Sequence, residues 1–136
     1  MNLKEQLMRD EGRRLGPYRD TVGKLTIGYG RNLDDVGISQ HEAEVLLESD
    51  INRTLEALHK ALPWVEKLDH ARLGVLANMA FNLGVAGLLK FKHTLESVQA
   101  GRYDEASDGM LNSTWAGQVK GRATRLAEQM RSGLWQ

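Results

Sequence analysis

Gly16-Pro17-Tyr18-Arg19-Asp20-Thr21-Val22-Gly23-Lys24-Leu25-Thr26-Ile27-Gly28-Tyr29-Gly30 is the one stretch of this chain with strand character. Gly23-Lys24 reads as a hairpin turn, and Leu25, Ile27 and Tyr29 alternate with Thr26, Gly28 and Gly30. On this reading Leu25 and Ile27 share one face. Thr26 takes the other, where the glycines leave open space.

Outward from the hairpin, every segment has helical period. Asn2 with Glu5 three residues on is a capping box. It opens a first helix whose apolar residues are Leu3, Leu7 and Met8, ending near Gly12. On the other side, Ser39-Gln40-His41-Glu42 is a second capping box. Behind it Ala43, Leu47, Ile51, Leu55, Leu58 and Leu62 recur at near four-residue spacing, and Pro63 fits the stop. A helix from about Gln40 to Leu62 spans roughly 30–35 Å, enough to connect two lobes. Asp69 is placed to cap a further helix. Its Leu73, Val75, Leu76, Met79, Ala80, Phe81 and Leu83 cover most of the circumference, as in a buried central helix. Gly84, Gly87, Gly101, Gly109, Gly117, Gly121 and Gly133 are expected to punctuate the rest into short helices. The class is α+β, mostly α.

The composition narrows the function. With 136 residues, 41% of them hydrophobic, the chain has the size and content of one globular domain. No cysteine is present, so there is no disulfide framework or thiolate metal site. His41, His59, His70 and His93 show no paired ligand spacing, so neither a metal nor another cofactor is called for. No run approaches about 18 uninterrupted apolar residues, and the N-terminus has no secretory pattern, so no stable membrane insertion is expected. The 18 basic and 18 acidic residues balance, with no basic stripe for nucleic acid.

Three residues near the N-terminus carry chemistry. Glu11 falls on the apolar face of the first helix and in its last turn. A carboxyl group there is partly desolvated and sits at the negative helix end, which suits an acid that protonates a glycosidic oxygen. An ion pair with an arginine is the structural alternative. Asp20 precedes the hairpin turn. It serves either as an Asx contact or as the second carboxylate that a glycosidase of the usual kind needs across the scissile bond. The Thr26 hydroxyl can donate to and accept from a water, or be an ordinary strand residue.

Taken together, Glu11, eight intervening residues, Asp20, five more, and Thr26 within Thr26-Ile27-Gly28-Tyr29-Gly30 resemble the catalytic signature of phage-type lysozymes. These are the endolysin muramidases of glycoside hydrolase family 24. Ser39-Gln40-His41-Glu42-Ala43-Glu44 resembles that family's interlobe helix. Asn78-Met79-Ala80-Phe81-Asn82-Leu83-Gly84 resembles its central helix, and Trp115 with Gly121-Arg122-Ala123-Thr124-Arg125 its C-terminal segment. The resemblance implies a single lysozyme-like domain. Its parts are a hairpin lobe at about 13–38, a connecting helix at about 40–62, and a helical lobe at about 63–136 joined by the N-terminal helix 2–12.

It further implies hydrolysis, with inversion, of the β-1,4 bonds of bacterial peptidoglycan, leading to host lysis. Glu11 would be the general acid, and Asp20 and Thr26 would hold the attacking water. Asn32, Phe81, Asn82 and Thr94 would contact the glycan, and Arg122 would reach back to Glu11. Arg31 and Asp50 would tie the hairpin to the connecting helix. The partners implied are glycan strands and a membrane-permeabilising holin, for a monomer made in the host cytoplasm and acting on periplasmic peptidoglycan.

The chain departs from the pattern in three places. The loop from Asn32 to Ile38 is short, Asn82 is a shorter amide than the glutamine expected, and Gly109 replaces a side chain that could have bound sugar. A lytic transglycosylase and a non-catalytic wall-binding relative are the rival readings. The water-holding pair argues against the first, and the intact triad against the second.

Overall fold

The computed structural model describes residues 1–136. Its backbone clusters into two units, Met1–Leu46 and Leu47–Gln136. The first begins with α1, Leu3–Glu11. The Asn2 carboxamide accepts from the Glu5 amide at 2.9 Å, and the Glu5 carboxylate accepts from the Asn2 amide at 3.0 Å. That is the expected capping box. Gly12, at φ +74°, ends the helix in a conformation that other residues rarely adopt.

An antiparallel sheet follows in the order β1 (Arg14–Arg19), β2 (Leu25–Gly28) and β3 (Arg31–Asn32). The expected hairpin is present, with Asp20–Lys24 reversing the chain between β1 and β2. The third strand was not foreseen, because two residues are too few to show a period. It makes β2 the central strand, with Thr26 paired to Tyr18 on one side and Asn32 on the other. Thr26 is therefore buried, 3% exposed, while Leu25 and Ile27 are only half-buried. The faces alternate as expected, but the Thr26 face, expected to be open, is the covered one. Burial of the hydroxyl is tolerated because it donates to the Lys24 carbonyl at 2.8 Å.

Helix α2 runs over Gln40–Ala61, and its second capping box is also present. Its Glu42 does more than cap. Arg31 donates to both Glu42 carboxylate oxygens, at 2.9 and 2.6 Å, and to the Gly37 carbonyl at 3.1 Å. The expected Arg31–Asp50 pair is thus replaced by Arg31–Glu42, and Asp50 pairs instead with Arg53 one turn on. The guanidinium, followed by the Ser39 amide, holds the Glu42 carboxyl at about 2, well below its ordinary 4.5.

In the second unit, α2 is followed by a 3₁₀ turn at Pro63–Lys67 and by α3, His70–Leu88, capped by Asp69 as expected. Four shorter helices complete it: α4 (Lys92–Gln99), α5 (Tyr103–Leu111), α6 (Thr114–Val119) and α7 (Gly121–Ser132). By length and composition α3 is apolar enough to cross a membrane. Here Val75, Leu76, Met79 and Leu88 are fully buried in a core with Leu58, Val98, Met110, Trp115 and Met130. The expected central helix is therefore present, though Phe81 on it remains 45% exposed.

Not every glycine is a breaker. Gly84 kinks α3, Gly101 follows α4 and Gly133 ends α7, all at positive φ. Gly87, Gly109 and Gly117 lie inside helices instead. At Gly109 the reason is packing: a Cβ there would stand 2.5 Å from the Thr94 hydroxyl.

The C-terminal helix is tied to the start of α3 by two polar side chains, one buried and one half-buried. Gln129, 3% exposed, donates to the Ala71 carbonyl at 2.7 Å. Arg72 donates to the Met130 and Arg131 carbonyls at 2.7 and 3.0 Å, while its guanidinium lies 3.6 Å from the centre of the Tyr103 ring. It thereby caps the negative end of α7 with a cation.

Two outcomes are expected. Arg72→Ala strands two carbonyls and loses the ring contact. It should lower unfolding free energy by about 2–3 kcal/mol, seen as a fall of several degrees in Tm. The Glu42 carboxyl is depressed in the folded state, so its contribution is whole above about pH 4.5. It should shrink as pH falls toward about 2, because the unfolded chain takes up the proton first. Proteolysis across residues 31–42 should accelerate over that window in the wild type, and Glu42→Gln should be cleaved faster already at neutral pH.

Candidate active site

The first unit holds all three proposed catalytic residues. Glu11 is the last residue of α1, and its side chain lies over Gly30, just beyond β2. A Cβ on Gly30 would stand 2.7 Å from Glu11 Oε2 and 3.0 Å from its Cδ. The space at Gly30 is therefore taken by the carboxyl group, whereas the sequence suggested room for a sugar. Gly28 does have open space beside it. Leu7 and Met8, expected to shield Glu11, are themselves exposed, and α1 buries none of its residues.

Asp20 and Thr26 are linked through one residue. The Lys24 amide donates to Asp20 Oδ1 at 2.8 Å, and the Val22 amide donates to the same oxygen at 3.0 Å. The Lys24 carbonyl accepts from the Asp20 amide at 2.9 Å and from the Thr26 hydroxyl at 2.8 Å. The reading of Asp20 as an Asx contact therefore holds. One oxygen is an Asx contact that locks the turn, and Oδ2 remains an unoccupied acceptor. The Thr26 hydroxyl spends its only proton on Lys24, which leaves its oxygen lone pairs as acceptors.

The other expected site residues are placed as follows. Asn32 donates to Asp35 Oδ2 at 3.0 Å and accepts from the Asp35 amide at 2.9 Å. Its carboxamide is thus engaged in holding the short loop. In the second unit, Arg122 donates to the Asn78 carboxamide oxygen from Nε at 2.9 Å and from Nη2 at 2.7 Å. Phe81, Asn78 and Arg122 line a groove of about 580 Å³, whose other walls include Leu47, Leu73 and Trp135. Asn82 is exposed, and its Oδ1 accepts from the Trp115 indole at 2.8 Å. Thr94 is 6% exposed, with Gly109 against its hydroxyl.

Four contacts at the candidate site residues escaped the sequence reading: Gly30 beneath Glu11, the Lys24 peptide, Asn78 on Arg122, and Trp115 on Asn82. Asn78 and Trp115 were noted only as matches to the family, and Gly30 was read as empty space.

A small three-stranded antiparallel sheet preceding a mostly helical remainder, with a glutamate at the end of the first helix, defines a lysozyme-like α+β protein. The phage lysozyme family model matches residues 8–130, and the chain belongs to that family. It is 32% identical to the pre-baseplate central spike protein Gp5 of Enterobacteria phage T4 over 93% of its own length, but it spans only 27% of that protein. It is 30% identical to a probable T4-type lysozyme of Dictyostelium discoideum, covering 97% of this chain and 95% of that one. A SAR-endolysin of bacteriophage PS119 is also 30% identical, over 92% of this chain and 77% of that protein.

Gly30→Ala should push the Glu11 carboxyl from its seat. Any activity that uses the Glu11 carboxyl is expected to fall about a hundredfold, since displacements near 1 Å cost that much where a group must meet a substrate. Because φ at position 30 is +75°, a modest loss of Tm should accompany it.

Proposed function

We propose that the protein is an endolysin that hydrolyses the β-1,4 bonds between N-acetylmuramic acid and N-acetylglucosamine in bacterial peptidoglycan, with inversion. The observation that carries this reading is the Lys24 peptide. By occupying one Asp20 oxygen and the Thr26 proton, it leaves two acceptors, Asp20 Oδ2 and Thr26 Oγ1, in one turn-and-strand unit. A water that donates to both keeps a lone pair for the anomeric carbon. As the C–O bond forms, the water's proton passes to Asp20. Glu11 gives its proton to the departing glycosidic oxygen.

A pair of acceptors for water supports hydrolysis over the ring closure of a transglycosylase. The SAR-endolysin relatives support a role in host lysis. In that role the monomer is made in the host cytoplasm and meets periplasmic peptidoglycan after a holin permeabilises the membrane. Asn82 and Phe81 contact the glycan, whereas Thr94, expected to do so, is buried with Gly109 against its hydroxyl. Asn32 acts through its loop, and Arg122 is a supporting residue held by Asn78.

The test is clearing of outer-membrane-permeabilised Gram-negative cells. Glu11→Gln should lose at least a hundredfold in rate, the usual worth of a general acid. Mass spectrometry of the wild-type digest should show products one water heavier than anhydro-muropeptides. Anhydro products, or unchanged lysis by Glu11→Gln, would refute the mechanism.

A further inference from the structure

Two charged side chains stand behind the peptides that flank Lys24. The Leu25 amide donates to Asp34 Oδ2 at 2.8 Å. The Gly23 carbonyl accepts from Arg19 Nη1 at 3.2 Å, and that nitrogen lies 3.6 Å from the same Asp34 oxygen. Each contact falls on the far end of a peptide whose near end serves the site. The Leu25 amide shares its peptide with the Lys24 carbonyl, which accepts from the Thr26 hydroxyl at 2.8 Å and from the Asp20 amide at 2.9 Å. The Gly23 carbonyl shares its peptide with the Lys24 amide, which donates to Asp20 Oδ1 at 2.8 Å.

The signs of the two charges suit these tasks. An anion at the N–H end of a peptide pushes electron density onto its carbonyl oxygen, making it a better acceptor. A cation at the carbonyl end makes the N–H a better donor. Hydrogen bonds in a chain polarise one another in this way, and charged partners make the stronger links. An exposed ion pair contributes little by itself. This one is directed, through the backbone, at Asp20 and Thr26.

We infer that Arg19 and Asp34 are positioning residues that polarise the two Lys24 peptides and so keep Asp20 Oδ2 and Thr26 Oγ1 free as acceptors. This rests on the proposed water-holding role of those two atoms. With the Lys24 carbonyl polarised, the Thr26 proton stays on it, and the hydroxyl meets the water with lone pairs alone. Without that polarisation the proton can turn to the water and engage the lone pair that attacks.

Amide exchange with deuterium reads the effect without turnover. Asp34→Ala should speed exchange at the Asp20 amide about tenfold, the usual worth of one hydrogen bond, while amides in α1 and α2 keep wild-type rates. Arg19→Met should do the same at the Lys24 amide. Asp34→Asn keeps an acceptor for the Leu25 amide and should recover most of the Asp20 protection. On sacculi, Asp34→Ala should lower kcat about tenfold at unchanged KM, because the loss falls on the attacking water and not on the glycan. Asp34→Asn should restore most of that rate.

Unchanged exchange at the Asp20 amide in Asp34→Ala would overturn the inference. So would acceleration shared equally by α1 and α2, which is general loosening, or faster Asp20 exchange with kcat intact. Anhydro products from the wild type would instead sink the hydrolytic reading, with the exchange rates still deciding for or against the polarised turn.

Discussion

The first unit depends on the Arg31–Glu42 pair. A sheet whose third strand has two residues is marginal on its own. Arg31 lies in that strand and grips the first turn of α2 through both Glu42 oxygens. It also takes the Gly37 carbonyl, so one guanidinium closes the whole Leu33–Ser39 loop against the helix start. Planar, bidentate geometry gives the contact direction as well as strength. Because β3 pairs with β2, the same contact supports the strand that bears Thr26. The same guanidinium, with the Ser39 amide, is what depresses the Glu42 carboxyl.

The unit that holds the proposed catalytic residues is built from economy in backbone groups. Lys24 contributes no side-chain chemistry, yet its amide and carbonyl set the free atoms of both Asp20 and Thr26. Gly30 contributes only the absence of a Cβ. The second unit works in the same manner: Asn78 holds Arg122, Trp115 holds Asn82, and Arg72 caps α7. Each exposed functional group is steadied by a partner whose own position is set by burial or by secondary structure. One place runs against this order. Lys120, between α6 and α7, adopts φ +51° and ψ −112°, a conformation that costs a non-glycine residue about 1–3 kcal/mol.

Much of the fold was legible in the chain. Capping boxes at Asn2 and Ser39, the cap at Asp69 and the long apolar period of α2 are local signals, and the helices begin where those signals lie. The hairpin was legible because alternation and a turn coincide in one short run. β3 was not, since pairing with β2 and not any period creates it. Interior glycines were misread for a related reason: Gly109 answers to Thr94, fifteen residues away and visible only once α4 and α5 pack.

By itself the sequence determined three helix starts, the hairpin, and the family signature with its spacing of Glu11, Asp20 and Thr26, because spacing along a chain survives folding unchanged. Tertiary structure alone decided what those residues touch. It buried Thr26 in a central strand, divided the two oxygens of Asp20 between turn and solvent, and seated Glu11 on Gly30. It exchanged Asp50 for Glu42 as the partner of Arg31, and joined Asn82 to the Trp115 indole. The physical reason is common to all of these. A hydrogen bond or ion pair goes to whichever complementary group stands about 3 Å away, and no one-dimensional pattern records that distance.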